Sequence, residues 1–287
     1  MKKNLQQILI VAALVFVAAF IYFIQKNNLA SSEYMAVSFL DVGQGDAIFI
    51  EAPNGVQMLI DSGPDNSVLQ ELSKVMPFWD RSIDVVVATH PDKDHIGGFP
   101  ELFKRFKVGY VLDTEVISDT GIYREYLSQR EKIDAKKLSS EAGQVIVLDK
   151  KSGVYVEVLF PGENIENIKD KNDTSIVLRV VYGESEVLLT GDASKKVEKF
   201  LVSKYGSRLE SDILKLGHHG SKTSTSESFL ETVSPKMAVV SAGEGNRYGH
   251  PHDDVVDKVK NLGLDIYSTS EGRPILMEIS PTEIFFK

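Results

Sequence analysis

The chain has 287 residues, of which 43% are hydrophobic and 25% are charged, a balance typical of a globular protein with one large core. Its formal net charge of −9 excludes nucleic-acid binding through bulk positive charge, although bound cations or a local basic patch could still hold an anion. The chain has no cysteine, which excludes disulfides, thiolate zinc sites and cysteine nucleophiles.

The first element in chain order is an uncharged apolar stretch, Ile8–Ile24. A helix of this length spans most of a bilayer core, and the lysines before it favour an N-terminus that stays inside. We therefore predict a single-pass membrane anchor in residues 1–25, a linker in residues 26–34 and an extracytoplasmic domain in residues 35–287. A cleaved signal peptide is the alternative, but no small-x-small cleavage site follows promptly.

After the linker, short apolar runs alternate with polar, helix-like stretches in two similar halves. The predicted strands are 36–42, 47–52, 56–60, 83–89, 108–112, 145–148, 154–160, 175–181, 186–190, 213–216, 237–240, 265–267, 274–279 and 283–286. The predicted helices are 66–76, 97–107, 123–132, 195–204, 227–233 and 253–262. Strands followed by helices, twice over, favour an α+β fold in which two packed sheets are covered by helices on both outer faces.

The six histidines fall into three short clusters, and the first cluster lies in the segment THPDKDHIGG directly after a buried strand. This segment offers four potential ligands within six residues: His90, Asp92, Asp94 and His95. Imidazole and carboxylate groups suit zinc or manganese, and four such groups exceed the three protein ligands of one catalytic tetrahedral ion, which keeps its fourth position for water. The segment therefore predicts a two-metal site. A solvated turn whose aspartates cap the next helix would explain the carboxylates but not the histidines.

Two later segments extend this predicted site. Asp192 follows a strand and a glycine in LLTGD, where its carboxylate could bridge two cations. His218 and His219 leave a strand end with side chains that point apart, so we expect one to bind metal and the other to contact substrate or support a ligand. Lys222 follows before a helix and could hold an anion there, with an ordinary N-cap run as the alternative.

Further candidates lie in three loops. His250 and His252, in NRYGHPH, could contact an anionic substrate or donate a proton to a leaving group. The alternative is that they are surface residues of a rigid loop without a role in catalysis. Asp61, in LIDSG, could orient a metal-binding imidazole, and Asn172 precedes a strand. The glycine-rich turn Asp41–Asp46 could lie against the site or merely shape the sheet corner.

At these residues the sequence resembles the metallo-β-lactamase superfamily. Asp61 resembles the first motif, the segment from His90 to His95 the second, and Asp192 the bridging aspartate of the fourth, while the pair His218–His219 resembles the fifth. The resemblance implies a four-layer αββα sandwich and a site for two divalent metal ions.

The sequence departs from this superfamily at two motifs. Asp92 stands where the second motif usually has histidine, and Asn172 is the nearest candidate for the missing histidine of the third motif. Both departures replace nitrogen ligands with oxygen ligands, which shifts the expected metal from zinc toward manganese or magnesium.

The same departures point to a subgroup. FLDVGQGDAIFIEAPNG, NDTSIVLR and LKLGHHGSKTSTS, with the segments above, are similar to the C-terminal domain of the competence DNA-uptake protein ComEC. This resemblance implies an extracytoplasmic, divalent-metal nuclease that acts on DNA. Nothing in the sequence points to a protein partner.

We therefore expect phosphodiester hydrolysis at two ions. One ion would be held by His90, Asp92 and Asp192. The other would be held by Asp94, His95, Asp192 and one of the two adjacent histidines. Two alternatives stay open: a hydrolase of another phosphoester, ester or lactone at the cell envelope, and a membrane-tethered binding protein on a retired hydrolase fold.

Overall fold

The computed structural model describes residues 7, 9–20, 33–114, 116–162, 168 and 170–287. Residues 9–20 form the first helix, α1, and their side chains are exposed. Apart from residue 7, the rest of the predicted anchor, at positions 1–6, 8 and 21–25, lies outside the described residues, as does most of the predicted linker. Within the described part, no helix combines the length and the apolar character that crossing a bilayer requires.

Fifteen strands are described from residue 35 onward. They are β1 (Met35–Phe39), β2 (Ile48–Glu51), β3 (Gln57–Ile60), β4 (Ser82–Ala88), β5 (Lys107–Asp113), β6 (Lys136–Ser139), β7 (Val145–Asp149), β8 (Val154–Phe160), β9 (Val177–Tyr182), β10 (Ser185–Leu189), β11 (Ile213–Lys215), β12 (Met237–Val240), β13 (Asp265–Ser268), β14 (Ile275–Ile279) and β15 (Ile284–Phe286). The first sheet has the order β15-β14-β1-β2-β3-β4-β5-β6, and the second has the order β13-β12-β11-β10-β9-β8-β7.

Seven helices accompany these strands in the described residues after position 33. They are α2 (Ser67–Val75), α3 (Lys93–Ile96), α4 (Phe99–Arg105), α5 (Gly121–Arg130), α6 (Lys195–Tyr205), α7 (Glu227–Val233) and α8 (Asp253–Asn261). Short 3-10 turns lie at Asn172–Thr174, Gly206–Leu209, Gly217–Gly220 and Thr269–Glu271.

Three apolar layers hold these elements together. Alternation along β2 sends Ile48 and Ile50 into a core between the two sheets, while Phe49 packs on the helices that cover the first sheet. Phe229 belongs to the third layer, between the second sheet and its own helices. Burying each such side chain contributes about 1.5–3 kcal/mol. The sandwich of two sheets covered by helices is thereby confirmed.

The candidate site lies where parallel strands end. β3, β4 and β5 run parallel in the first sheet, and β10 to β13 run parallel in the second. The carboxyl ends of parallel strands meet at one edge of a sheet, so the loops that follow them converge. Asp61, His90 and Asp192 each lie within three residues after such a strand end.

The predicted boundaries are wrong at several places. The strand predicted at 36–42 ends at Phe39, because the next residues form a loop with left-handed glycines at Gly43 and Gly45. The helix predicted to reach residue 107 ends at Arg105, since Lys107 already pairs with β4. β6 and α3 were not predicted.

Candidate metal centre

The loop between β4 and α3 places two histidines in the interior. His90 is 1% exposed and His95 is fully buried. Nδ1 of His90 lies 3.1 Å from the Thr89 hydroxyl and 3.3 Å from that of Ser175. Burial, with the neighbouring His95, lowers the pKa of His90 to about 3, so this imidazole is neutral and its Nε2 is available to a cation.

Asp61 orients the second of these histidines. Asp61 has a φ of 61°, a left-handed backbone that is uncommon for a residue with a side chain. Its carboxylate accepts hydrogen bonds from the backbone N–H and the hydroxyl of Thr89, at 2.8 and 2.7 Å. Its Oδ2 also lies 2.7 Å from Nδ1 of His95. Because a carboxylate accepts the Nδ1 proton, Nε2 of His95 is directed away from Asp61 toward the site.

Asp192 lies at the centre of the cluster. Its backbone N–H donates to the Ser175 hydroxyl at 3.1 Å. The Nε2 atoms of four histidines surround its carboxylate, at 3.3 Å for His95, 3.6 Å for His218, 3.7 Å for His219 and 3.9 Å for His90. Burial opposes the charge on Asp192, but His219 and His95 outweigh it and hold the pKa of this carboxyl well below its usual range.

The structure distinguishes the two adjacent histidines. Both have left-handed backbones in one tight turn, and their side chains do not point apart as expected, since both Nε2 atoms approach Oδ2 of Asp192. His219 is 1% exposed, and its Nδ1 donates to the carbonyl of Ser241 at 2.8 Å. Its Nε2 lies 3.4 Å from Oδ2 of Asp94. His218 is partly exposed, with Nδ1 3.0 Å from the Thr223 hydroxyl and 3.4 Å from the amide nitrogen of Asn172.

The buried donor atoms fit a divalent cation. Nε2 of His90, His95 and His219 and Oδ1 of Asp192 are all buried without a hydrogen-bond partner. Each such atom costs about 1–3 kcal/mol unless something satisfies it, and bound divalent cations would satisfy them. Among the described residues, ligand atoms within 4.8 Å of one another occur in four groups that use these residues: His90 with His95 and Asp192, Asp94 with His95 and His219, and two groups that include Asp46.

This grouping differs from the expected division of ligands. We expected His90 and Asp92 on one ion, yet His90 shares its group with His95. Asp92 lies at the edge of the cluster, 3.9 Å from Nε2 of His90, and its side chain is 39% exposed. Burial and the nearby Asp94 raise the pKa of Asp92.

The loop after β12 brings two more histidines to the rim of the site. The ring of His250 lies 5.5 Å from that of His218 and 4.8 Å from that of His252, between centroids. The backbone N–H of Lys222 donates to Nδ1 of His252 at 3.1 Å, so the proton of a neutral His252 lies on Nε2. Burial, with the neighbouring His219, lowers the pKa of His250 to about 4. The side chain of Lys222 is exposed on the same rim.

Two buried charges beneath the centre were not assigned from the sequence. Asp46 belongs to the glycine-rich turn that we expected either at the site or at a sheet corner, and its Oδ1 lies 3.5 Å from Nδ1 of His219. Lys215, at the end of β11, is fully buried and contacts Asp46. A lysine inside an otherwise apolar strand, as in ILKL, is the signal that could have revealed this pair.

Comparison with known proteins identifies relatives by sequence. A profile described as "Metallo-beta-lactamase superfamily" matches residues 40–244. ComE operon protein 3 of Bacillus subtilis is 29% identical, over 96% of this chain and 36% of that protein. Competence protein ComA of Neisseria gonorrhoeae is 37% identical, over 82% of this chain and 31% of that protein. Recombination protein 2 of Haemophilus influenzae is 32% identical, over 82% of this chain and 27% of that protein. The chain thus spans roughly a third of the length of these curated relatives.

Solved structures with the same architecture are more distant in sequence. The metallo-β-lactamase fold protein YhfI of Bacillus subtilis has a TM-score of 0.57 at 13% identity, covering 86% of this chain and 100% of that chain. The metallo hydrolase Igni18 of Ignicoccus hospitalis has a TM-score of 0.54 at 16% identity, covering 88% and 98% respectively. At such identities these likenesses show the fold alone.

Proposed function

The chain belongs to the metallo-β-lactamase superfamily, as its motifs indicated, and we propose that this metal-dependent hydrolase cleaves the phosphodiester bonds of DNA. The observation that carries the proposal is the convergence of the unpartnered Nε2 atoms of His90, His95 and His219 on the carboxylate of Asp192. The relatives named as competence and recombination proteins support DNA as the substrate.

The chain's own contribution is a rigid set of donors. When bound, divalent cations at such a centre lower the pKa of water and offset the charge on phosphoryl oxygens. Asp61 holds Nδ1 of His95, and the carbonyl of Ser241 holds Nδ1 of His219. Both imidazoles therefore present Nε2 without having to reorganise during the reaction.

The rim residues face the side from which a phosphodiester would approach. The exposed Lys222 is suited to a phosphoryl oxygen, and Nε2–H of His252 is a donor for a phosphoryl or leaving oxygen. With a pKa of about 4, His250 is neutral near pH 7. It is then better suited to hydrogen bonding than to delivering a proton to the leaving oxygen.

Cleavage assays on the full chain, purified in mild detergent, test the proposal. Single- and double-stranded DNA would be incubated with manganese, zinc or magnesium beside Asp192→Ala and Asp94→Ala. We expect metal-dependent cleavage that falls at least about a thousandfold in both variants. Asp257→Ala, which removes an exposed carboxylate of α8, is the matched control and should cleave normally.

Each contrary result has a defined meaning. Full activity in Asp192→Ala would refute the proposed centre. If DNA stays intact while metal is demonstrably bound, the proposed substrate would change from DNA to another phosphoester, an ester or a lactone. A chain that binds no divalent metal would refute the hydrolase mechanism itself.

We also propose that Ile8–Ile24 anchors the chain in the cell membrane, with residues 35–287 outside the cytoplasm. The support is the uncharged apolar run and the exposure of its described part, residues 9–20. Cell membranes washed in alkaline carbonate should retain the chain, and protease added to spheroplasts should degrade its globular part. Release by carbonate, or full protection from protease, would contradict this topology.

A further inference from the structure

The end of β11 buries a lysine directly beneath the metal centre. Ile213 belongs to the core between the sheets, and the two-residue repeat of a strand turns Lys215 to the same face. The ammonium of Lys215 contacts Oδ2 of Asp46 and donates to the carbonyl of Gly191 at 3.0 Å. It also lies 4.0 Å from Oδ1 of Asp192.

This ion pair joins the two sheets at a buried position, where charged groups are energetically unfavourable. Asp46 enters from the loop between β1 and β2 of the first sheet, whereas Lys215 ends a strand of the second. Asp46 is 1% exposed and Lys215 is 0% exposed. Burying two charges is expensive even when they are paired, and an apolar pair of similar size often stabilises a fold as well or better. Stability alone is therefore a weak reason for a lysine at this position.

Asp46 lies where it could bind metal. Its Oδ1 is buried without a hydrogen-bond partner, and its ligand atoms lie within 4.8 Å of those of Asp192 and His219. The contact with Lys215 engages the other carboxylate oxygen. The carboxylate thus faces two competing cations, the fixed ammonium and any metal in the centre.

We propose that Lys215 is a positioning residue that withholds Asp46 from the ligand set and sets the affinity of the centre for divalent cations. The pair is neutral as a whole. Removing the ammonium leaves a free carboxylate beside the metals, and removing the carboxylate leaves an uncompensated positive charge. The two substitutions must therefore shift metal affinity in opposite directions, by about tenfold or more for charges this close. The inference rests on the metal centre of the proposed function but not on its substrate.

Calorimetric titration of manganese into the full chain, after removal of metal by a chelator, tests this inference. We expect Lys215→Met to bind manganese at least about tenfold more tightly than the parent, and Asp46→Asn to bind it at least about tenfold more weakly. The double variant, in which both charges are removed, should return to within about threefold of the parent. Lys236→Met removes an ion pair with Asp212 at 2.7 Å that is not part of this cluster, and it is the matched control with unchanged affinity.

Several outcomes overturn the inference. Shifts of the same sign in the two single variants, or a loss of thermal stability with unchanged affinity, show a merely structural ion pair. A double variant that binds as weakly as Asp46→Asn shows that Asp46 is itself a ligand. If Lys215→Met does not fold, the comparison of Asp46→Asn with the double variant still shows whether removing the ammonium of Lys215 strengthens manganese binding. A parent that binds no manganese overturns both this inference and the proposed function, whereas a parent that binds manganese but leaves DNA intact affects the substrate proposal alone.

Discussion

The site contains two sets of histidines with the same chemistry and opposite surroundings. The inner histidines, His90, His95 and His219, are at most 1% exposed, and their Nε2 atoms are buried without partners. The outer histidines, His218, His250 and His252, are partly exposed and lie ring against ring at the rim. The inner set is built to hold a cation, and the outer set is placed to meet a substrate.

The histidines of the site also differ in charge state, and the inner set is itself divided: burial lowers the pKa of His90 to about 3, whereas the pKa of His95 is raised well above its usual value. Burial would lower the pKa of His219, but Asp192 and Asp46 outweigh it and raise that pKa to about 9. Burial, with the neighbouring His219, lowers the pKa of His250 to about 4. Between His219 and His250, proximity to carboxylates therefore decides which imidazole is protonated before metal arrives.

The largest expected effect is the loss of an inner histidine. In His95→Ala, Asp192 and Asp61 lose the imidazole between them, and three of the four ligand groups of the described centre lose a member. We expect activity to fall at least about a thousandfold and at least one metal to be lost, measured by elemental analysis of the purified chain. His218→Ala is the matched outer variant and should keep its metal. Equal metal loss in both variants would refute the distinction between inner and outer histidines.

The next largest expected effect concerns Asp61, which holds the inner histidine His95 in place. Asp61→Asn keeps the shape of the side chain but weakens its hold on Nδ1 of His95. Such outer partners are typically worth about 10–100-fold in metal affinity or activity, and we expect a loss in that range. Competition with a fluorescent chelator measures it. Unaltered affinity would mean that the histidine needs no such support.

An outer substitution should act on turnover alone. In His252→Ala, the donor beside Lys222 is lost while every inner Nε2 atom stays in place. We expect kcat on DNA to fall by about 10–100-fold with unchanged metal content, as for the removal of one hydrogen-bonding group. Steady-state kinetics on a fluorescent oligonucleotide would show it. A variant that loses metal would place His252 in the inner set.

The smallest expected effect is the release of protons when metal binds. With pKa values raised to about 9 for His219 and well above the usual value for His95, both imidazoles are protonated at pH 7.5 in the metal-free chain. Ligation requires neutral imidazole, so metal binding should release about one or two protons and strengthen as pH rises toward 9. Titration calorimetry in buffers of different ionisation enthalpy measures the number. His250→Ala should release the same number, because His250 is already neutral.

Much of the fold was predictable because its signals are local. The β-branched run predicted as a strand at 83–89 is β4 (Ser82–Ala88), and the Pro-Asn-Gly turn does join β2 to β3. β6 (Lys136–Ser139) was missed because it is a polar strand at the edge of its sheet, where β5 is its one partner among the described strands, and because it shows no apolar alternation. α3 was missed because one turn of helix inside a ligand loop has no periodicity to read.

The candidate site was predictable in its members but not in its arrangement. Residue types and short spacings mark the segment from His90 to His95, Asp192 and the adjacent histidines as cation ligands, because ligand chemistry belongs to the side chain itself. Which imidazole faces inward depends on its Nδ1 partner, such as Ser241 for His219, which the loop directly after β12 supplies.

The chain's own pattern of apolar runs, glycine turns and clustered histidines was enough to specify a two-sheet sandwich and a metal-binding edge. Only the packed structure brings Asp46 of one sheet against Lys215 of the other and groups His90 with His95 rather than with Asp92. Such contacts join residues far apart in the chain. They depend on how the two sheets stack and on how much water is excluded between them. A local stretch of sequence determines neither of these.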